Sequence, residues 1–131
     1  MKNIKQFLSD NDQFAKHAGI ELLEAAEGYA KVKMVIEDYH LNGAKTVHGG
    51  AIFTLADFAF AVASNSHGRI AMGINASIAY MKAVDTGVLF AEAREVSLNH
   101  KLGHYVVNIT DEQNALVAMF QGTVYRKKEE W

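Results

Sequence analysis

The 131-residue chain has no cysteine, no proline and a single tryptophan, and neither sign of charge is in marked excess. The missing thiols exclude disulfides, thiolate nucleophiles and cysteine zinc sites. Thirteen Lys and Arg stand against fifteen Asp and Glu, a formal net charge of -2. No basic field therefore exists to hold nucleic acid or an anionic membrane surface. No apolar run approaches the roughly 20 residues that cross a bilayer. The N-terminal "MKNIKQFLSDNDQFAKHAG" interrupts its few apolar residues with Lys, Asp and Asn, unlike a signal peptide or an anchor. A cytoplasmic protein is expected, with neither nucleic acid nor membrane as a partner. What is present is apolar: 50% of the residues are hydrophobic, enough at this length for one domain, 1–131, around one core.

Ile4, Phe7 and Leu8 lie at helical spacing and predict a short amphipathic N-terminal helix. "IELLEAAEGYAKVKMVI" then alternates around Glu27-Gly28 as a hairpin of two half-buried strands should, with Val32 and Met34 opposite Tyr29, Lys31 and Lys33. "EDYHLNGAKTVHGG" reads as an irregular loop with a helical turn. From Ala51 to about Ser66 the Ala, Leu and Phe content, free of Gly and Pro, predicts a helix. Four further apolar segments, separated by "DTG", "HKLG" and "DEQN", predict an antiparallel meander of four strands. The fold class expected is α+β, one antiparallel sheet with a helix against one face. Since that helix is apolar nearly all round and a sheet covers one side only, a second subunit is expected to cover the rest.

An acid, Asp57, stands inside this apolar helix. At about 100° per residue, Gly50, Thr54, Asp57, Ala61 and Ser64 fall on one narrow stripe of small or polar residues. Such a stripe, leading from a glycine entrance to a carboxylate two turns in, is what a cleft beside a helix needs. Asp57 serves either as a structurally satisfied acid or as a base or nucleophile whose pKa is raised by low dielectric. Ahead of it, "VHGG" places glycines where free N–H groups and the helix dipole can stabilise a developing oxyanion. His48 and Asn42, each ordinary by itself, have weight through their joint occurrence with Gly49, Gly50 and Asp57.

Other constellations are poorer. "SNSHG", residues 64–68, holds Ser and His but no Gly-x-Ser-x-Gly elbow, and a helix C-terminus is an ordinary place for such residues. Ser64 remains of interest because it shares the stripe of Asp57. The six histidines contain no H-E-x-x-H spacing, and the close pair His100 and His104 spans a glycine-containing turn, so no metal is expected. Lys82, Arg94, Lys101 and the terminal "YRKK" are cations available for phosphates, of which Arg126 and Lys127 are the ones singled out.

Taken together, "HLNGAKTVHGGAIFTLADFAFAVASNS" resembles the signature of hotdog-fold acyl-CoA thioesterases of the phenylacetic-acid-degradation type: Asn, then His-Gly-Gly, then Asp within "LAD". The resemblance extends over nearly the whole chain through "FAKHAGIELLEAAEGYAKVKMVI" and "IAYMKAVDTGVLFAEAREV". It implies a long helix wrapped by a curved antiparallel sheet, dimers whose sheets join edge to edge, often paired as tetramers, and active sites at the dimer interface. By position, Asp57 would be the general base or nucleophile, and Gly49 the N–H that polarises the thioester carbonyl. His48 would support the oxyanion hole, and Asn42 would reach in from the subunit opposite to that of Asp57. Gly50, Thr54, Ser64, Arg126 and Lys127 are the expected substrate contacts. The substrate would be a small aryl or a short- to medium-chain acyl-CoA, with coenzyme A part of the substrate and no other cofactor. Two departures from the pattern stand out: His104 where many relatives carry Arg, and Ala61 where some place Thr.

Two other functions suit the same fold. A hydratase or dehydratase acting on acyl thioesters relies on proline-containing motifs, which a chain without proline lacks. A non-catalytic acyl-CoA sensor would bind without turnover and would not need the carboxylate.

Overall fold

The computed structural model describes residues 3–131. Two short helices come first, α1 (Ile4–Asn11) and α2 (Gln13–Ala18), where the sequence predicts one. Asp12, at φ -76° and ψ 94°, ends α1 and caps α2 by accepting the Ala15 N–H at 3.0 Å. Six residues are too few for a helical period to declare itself, which is why α2 was not anticipated. The hairpin appears as expected: β1 (Ile20–Ala26) and β2 (Tyr29–Val35) turn at Glu27 and Gly28. Ala30, Val32 and Met34 are buried, while Tyr29, Lys31 and Lys33 face the other way.

A short 3-10 turn at Asp38–His40 leads to the central helix α3, Gly49–Ser64. It starts two residues earlier than its apolar run predicts because the His48 side chain caps it. At about 1.5 Å per residue, its 16 residues span about 24 Å. Four strands follow: β3 (Arg69–Tyr80), β4 (Val88–Leu98), β5 (Leu102–Thr110) and β6 (Leu116–Glu130). They do not form a simple meander. The antiparallel order is β1-β2-β4-β5-β6-β3, with β3 at the far edge beside β6 and β4 returned to β2. The cause is α3, which intervenes between β2 and β3 and carries the chain across the sheet before β3 is laid down.

The sheet curves around α3, whose Leu55, Ala56, Phe58, Ala59, Phe60 and Val62 are buried. Alanines at 30, 91 and 93 keep the facing strands low beneath it. Phe60 meets Tyr105 edge-on at 5.9 Å between centroids and Phe120 at 5.3 Å. It also lies over Gly122, where a Cβ would sit 2.8 Å from its ring. Each fully buried large side chain of this kind contributes about 1.5–3 kcal/mol. α1 and α2 cover part of the helix that the sheet leaves open. At the far end Trp131, unassigned from sequence, donates from Nε1 to Asn65 Oδ1 at 3.0 Å and packs on Phe7.

Candidate active site

The loop ahead of α3 is stitched together by side chains. Leu41 and Val47 bridge its neck, and the His48 N–H donates to the His40 carbonyl at 2.7 Å. Buried His40 accepts the Glu37 N–H on Nδ1, so the proton of the neutral ring is on Nε2 and is donated to the Ala18 carbonyl at 2.6 Å. One ring thus ties the loop to the end of α2. Asn42 folds its Oδ1 into its own turn, where it accepts from the Ala44 N–H, the Thr46 N–H and the Thr46 hydroxyl at 3.0, 3.1 and 3.3 Å. Only its Nδ2 hydrogens remain to act on anything else, so Asn42 is a donor at this site.

His48 accepts the Gly50 N–H on Nδ1 at 2.8 Å, and its Nε2 therefore carries the proton of the neutral ring and is left as a donor. The two glycines differ for that reason. The Gly50 amide is taken by the cap, while the Gly49 N–H, first in the helix, has no partner among the described residues. It is one of the four N–H groups that every helix start leaves unsatisfied, at the positive end of the helix dipole. Tyr80 of β3, which the sequence did not single out, donates its hydroxyl to the Gly49 carbonyl at 2.9 Å.

Farther along α3, Asp57 makes no hydrogen bond or ion pair among the described residues. Its outer atoms are exposed in the single chain, yet the protein mass around it displaces enough water to matter. Burial, first, and the negative charge of Asp12, second, raise its pKa above the ordinary value of 3.8. Thr54, half-buried between Gly50 and Asp57, directs its hydroxyl to the Gly50 carbonyl at 2.7 Å. Beside this stretch of the stripe a cavity of about 700 Å³ opens between α2, the 3-10 turn and α3. Phe14, Ala18, Tyr39, Leu41, Ala51 and Thr54 give it a largely apolar wall, with His48 and Gly50 at the helix end. Phe58 of α3 is buried, and the aromatic walls come from α2 and the loop. An unexplained aromatic in a polar stretch, Phe14 or Tyr39, was the only available signal.

In the single chain three of the expected substrate contacts lie away from this cavity. Ser64 is 2% exposed and donates to the Ala61 carbonyl, so the stripe closes before reaching it and no ligand of the single chain meets its hydroxyl. Arg126 donates to the Asn99 carbonyl at 2.7 Å and holds the β4–β5 turn. In the single chain it and Lys127 lie far along the sheet from the start of α3. Tyr80, which touches Gly49, pairs with Ala118, and the eight residues from there to Arg126 correspond to about 26 Å of strand. Of the other cations, Lys82 pairs with Asp111 and Arg94 with Glu92.

Comparison with known proteins gives the family and the fold. The family described as the thioesterase superfamily matches residues 44–118. A putative esterase of Archaeoglobus fulgidus is 46% identical over 100% of this chain and 86% of its own length. The acyl-coenzyme A thioesterase PaaI of Escherichia coli is 36% identical over 89% of this chain and 84% of its own. The structure of E. coli PaaI, from the phenylacetic acid degradation operon, superposes with a TM-score of 0.93, covering 96% of this chain and 92% of that one. A Streptococcus mutans protein solved bound to acetyl CoA superposes with a TM-score of 0.82 at 26% identity, over 86% and 91% of the two chains. The stretch that holds the His-Gly-Gly entrance and the helical acid is the stretch the family matches, and the chain belongs to the thioesterase superfamily as a hotdog-fold thioester hydrolase of the PaaI type.

Proposed function

We propose that this protein hydrolyses an acyl-CoA thioester to the free acid and coenzyme A, in sites that two copies of the chain build together. The observation that carries the reading is the unpartnered Asp57 carboxylate on an otherwise apolar helix, with an unpartnered Gly49 amide at that helix's start. Asp57 takes a proton from water as the oxygen bonds to the thioester carbonyl carbon. The oxyanion that forms accepts from Gly49 N–H, with His48 Nε2–H as a neighbouring donor. Collapse breaks the C–S bond, and the departing thiolate recovers the proton from Asp57. The acyl-CoA thioesterase PaaI and the acetyl-CoA-bound S. mutans protein support this substrate class. The apolar cavity suits an uncharged aryl or short- to medium-chain acyl group.

Helix geometry argues for two copies. Gly49 and Asp57 are eight residues apart on one helix, about 12 Å of axial rise, whereas both must come within about 3 Å of reacting atoms on one carbonyl centre. Asp57 of one chain is therefore paired with Gly49 and Asn42 of a second, related by a two-fold axis that runs the helices antiparallel. β3 supplies the surface for such pairing. It is a twelve-residue edge strand whose run from Ile70 to Tyr80 has no charge, and Met72, Ile74 and Tyr80 are all more than half exposed. An uncharged apolar edge of this length invites strand pairing. A tetramer of two such dimers is the expected further assembly.

The test is release of free thiol from a panel of acyl-CoA substrates by wild type and Asp57→Ala side by side. Wild-type turnover is expected on at least one aryl or aliphatic member, with kcat lower by orders of magnitude in Asp57→Ala. Tight acyl-CoA binding with no thiol released by wild type would make the protein a sensor instead.

A further inference from the structure

Two hydrogen bonds grip one peptide plane at the head of α3. The Tyr80 hydroxyl donates to the Gly49 carbonyl oxygen at 2.9 Å, and the N–H of the same peptide unit, that of Gly50, donates to His48 Nδ1 at 2.8 Å. The Tyr80 ring also lies so close to Gly49 that a Cβ there would stand 3.1 Å from it. Tyr80 is the last residue of β3, 31 positions away in sequence, and the hydroxyl reaches across from the edge strand to the helix start.

We propose that Tyr80 is a positioning residue for thioester hydrolysis: acting through the Gly49–Gly50 peptide, it holds His48 as the Nε2–H tautomer, with that N–H aimed as a donor. The inference rests on the thioesterase reading of this site. Its physical basis is that a peptide unit is planar, so pinning its oxygen and its N–H fixes the plane. The need is acute here, because two successive glycines at a fraying helix end have the widest backbone freedom of any pair. The hydroxyl also polarises the amide it touches, which strengthens the Gly50 N–H bond to Nδ1 and holds the proton of the neutral ring on Nε2. Hydrolysis needs donors already aimed at the oxyanion, and a hydroxyl one peptide removed supplies that aim without touching substrate.

Tyr80→Phe keeps the ring and removes only the hydroxyl. Loss of one direct oxyanion donor costs a factor of 100 or more, so misalignment of one that remains should cost about tenfold in kcat, with KM within about twofold. The oligomeric state should not change. In a His48→Ala background the same substitution should lower kcat by less than about threefold, because its path through the ring is gone. A second readout does not depend on turnover: nitrogen-15 NMR of histidine-labelled protein, with the His48 signals identified by their loss in His48→Ala. Wild type should show His48 as the Nε2–H tautomer and Tyr80→Phe a mixture of tautomers. An unchanged kcat, a loss confined to KM, a full tenfold effect retained without His48, or an unaltered tautomer would each overturn the proposal. Wild type that releases no thiol from any acyl-CoA would sink the thioesterase reading alone, and the tautomer comparison would still decide the role of Tyr80.

Discussion

The carboxylate of Asp57 stands in the field of Asp12, the residue that caps α2, and burial followed by that second negative charge makes it hold its proton to higher pH than an ordinary aspartate. The proton affinity of the acid in the central helix thus depends in part on the residue that caps a helix the sequence did not disclose.

That relationship predicts a shift in the pH profile. In wild type the acid limb of kcat/KM should rise at a pH above 3.8, as Asp57 loses its proton. Asp12→Asn removes the repelling charge but leaves an amide oxygen able to cap the Ala15 N–H. Its acid limb should move to lower pH with KM little changed, and a limb that stayed in place or moved upward would contradict the coupling.

The same raised affinity has a sign for stability. A carboxyl whose pKa is higher folded than unfolded stabilises the native state fully below the unfolded value, and that contribution is lost as pH rises through the folded one. Above that window the ionised Asp57 is a net cost. Asp57→Asn should therefore melt at a higher temperature than wild type at pH 7, with the gain gone at pH 3, while thiol release is nearly abolished. Calorimetry at the two pH values checks it, and a lower melting temperature at pH 7 would refute the assignment of strain to this acid.

Sharing of each site between two chains can be tested by mixing inactive variants. If Asp57 and Asn42 of one site come from different copies, a heterodimer of Asp57→Ala and Asn42→Ala chains has one site with both substitutions and one with neither. Random re-pairing makes half of the dimers mixed, so about a quarter of wild-type activity should return. If both residues of a site came from one chain, refolded mixtures would show no recovery.

Gly49→Ala separates the amide from its surroundings. The new Cβ would meet the Tyr80 ring at 3.1 Å, so helix and ring must part by a few tenths of an ångström. Helix propensity favours alanine by about 1 kcal/mol and offsets part of that crowding. The melting temperature should change little while kcat falls about tenfold or more, since a preorganised donor has moved. Equal losses of stability and rate would point to a purely structural glycine.

Away from the site, buried Tyr105 donates to Glu95 at 2.7 Å, and His67 meets the same oxygen at 2.6 Å. Burial alone would push the Glu95 pKa up, but the hydrogen bonds from Tyr105 and His67 outweigh it and hold it below the usual 4.5. Stability from this carboxylate is present above 4.5 and lost as pH falls through its folded value. Tyr105→Phe should cost about 1–2 kcal/mol at pH 7 and less at pH 3, by urea denaturation. A cost independent of pH would mean that the hydroxyl contributes packing only.

Much of the site could be read locally. Asp57, Gly49, Gly50 and Thr54 share one helix, so their angular relation follows from a fixed rise and turn per residue. The same reasoning failed at Ser64, because a helical wheel says nothing of where neighbouring elements close over the helix. It missed Tyr80 for a related reason: a tyrosine in an alternating strand gives no hint of which carbonyl it will meet 31 residues away. The glycine pair was visible, but only the structure distinguishes a capped amide at Gly50 from an unpartnered one at Gly49.

The sequence by itself determined the hairpin turning at Glu27-Gly28, the apolar central helix with its one acid, the glycine entrance and the family to which they point. The first three depend on periodicity and turn chemistry within a dozen residues, and the family on the resemblance of the motif they compose. Tertiary structure alone decided that β3 lies at the far edge of the sheet, that α2 and the 3-10 turn wall the cavity, and that the charge of Asp12 is felt at Asp57. Those depend on contacts between segments remote in sequence, which arise only when α3 crosses the sheet and the chain closes around it.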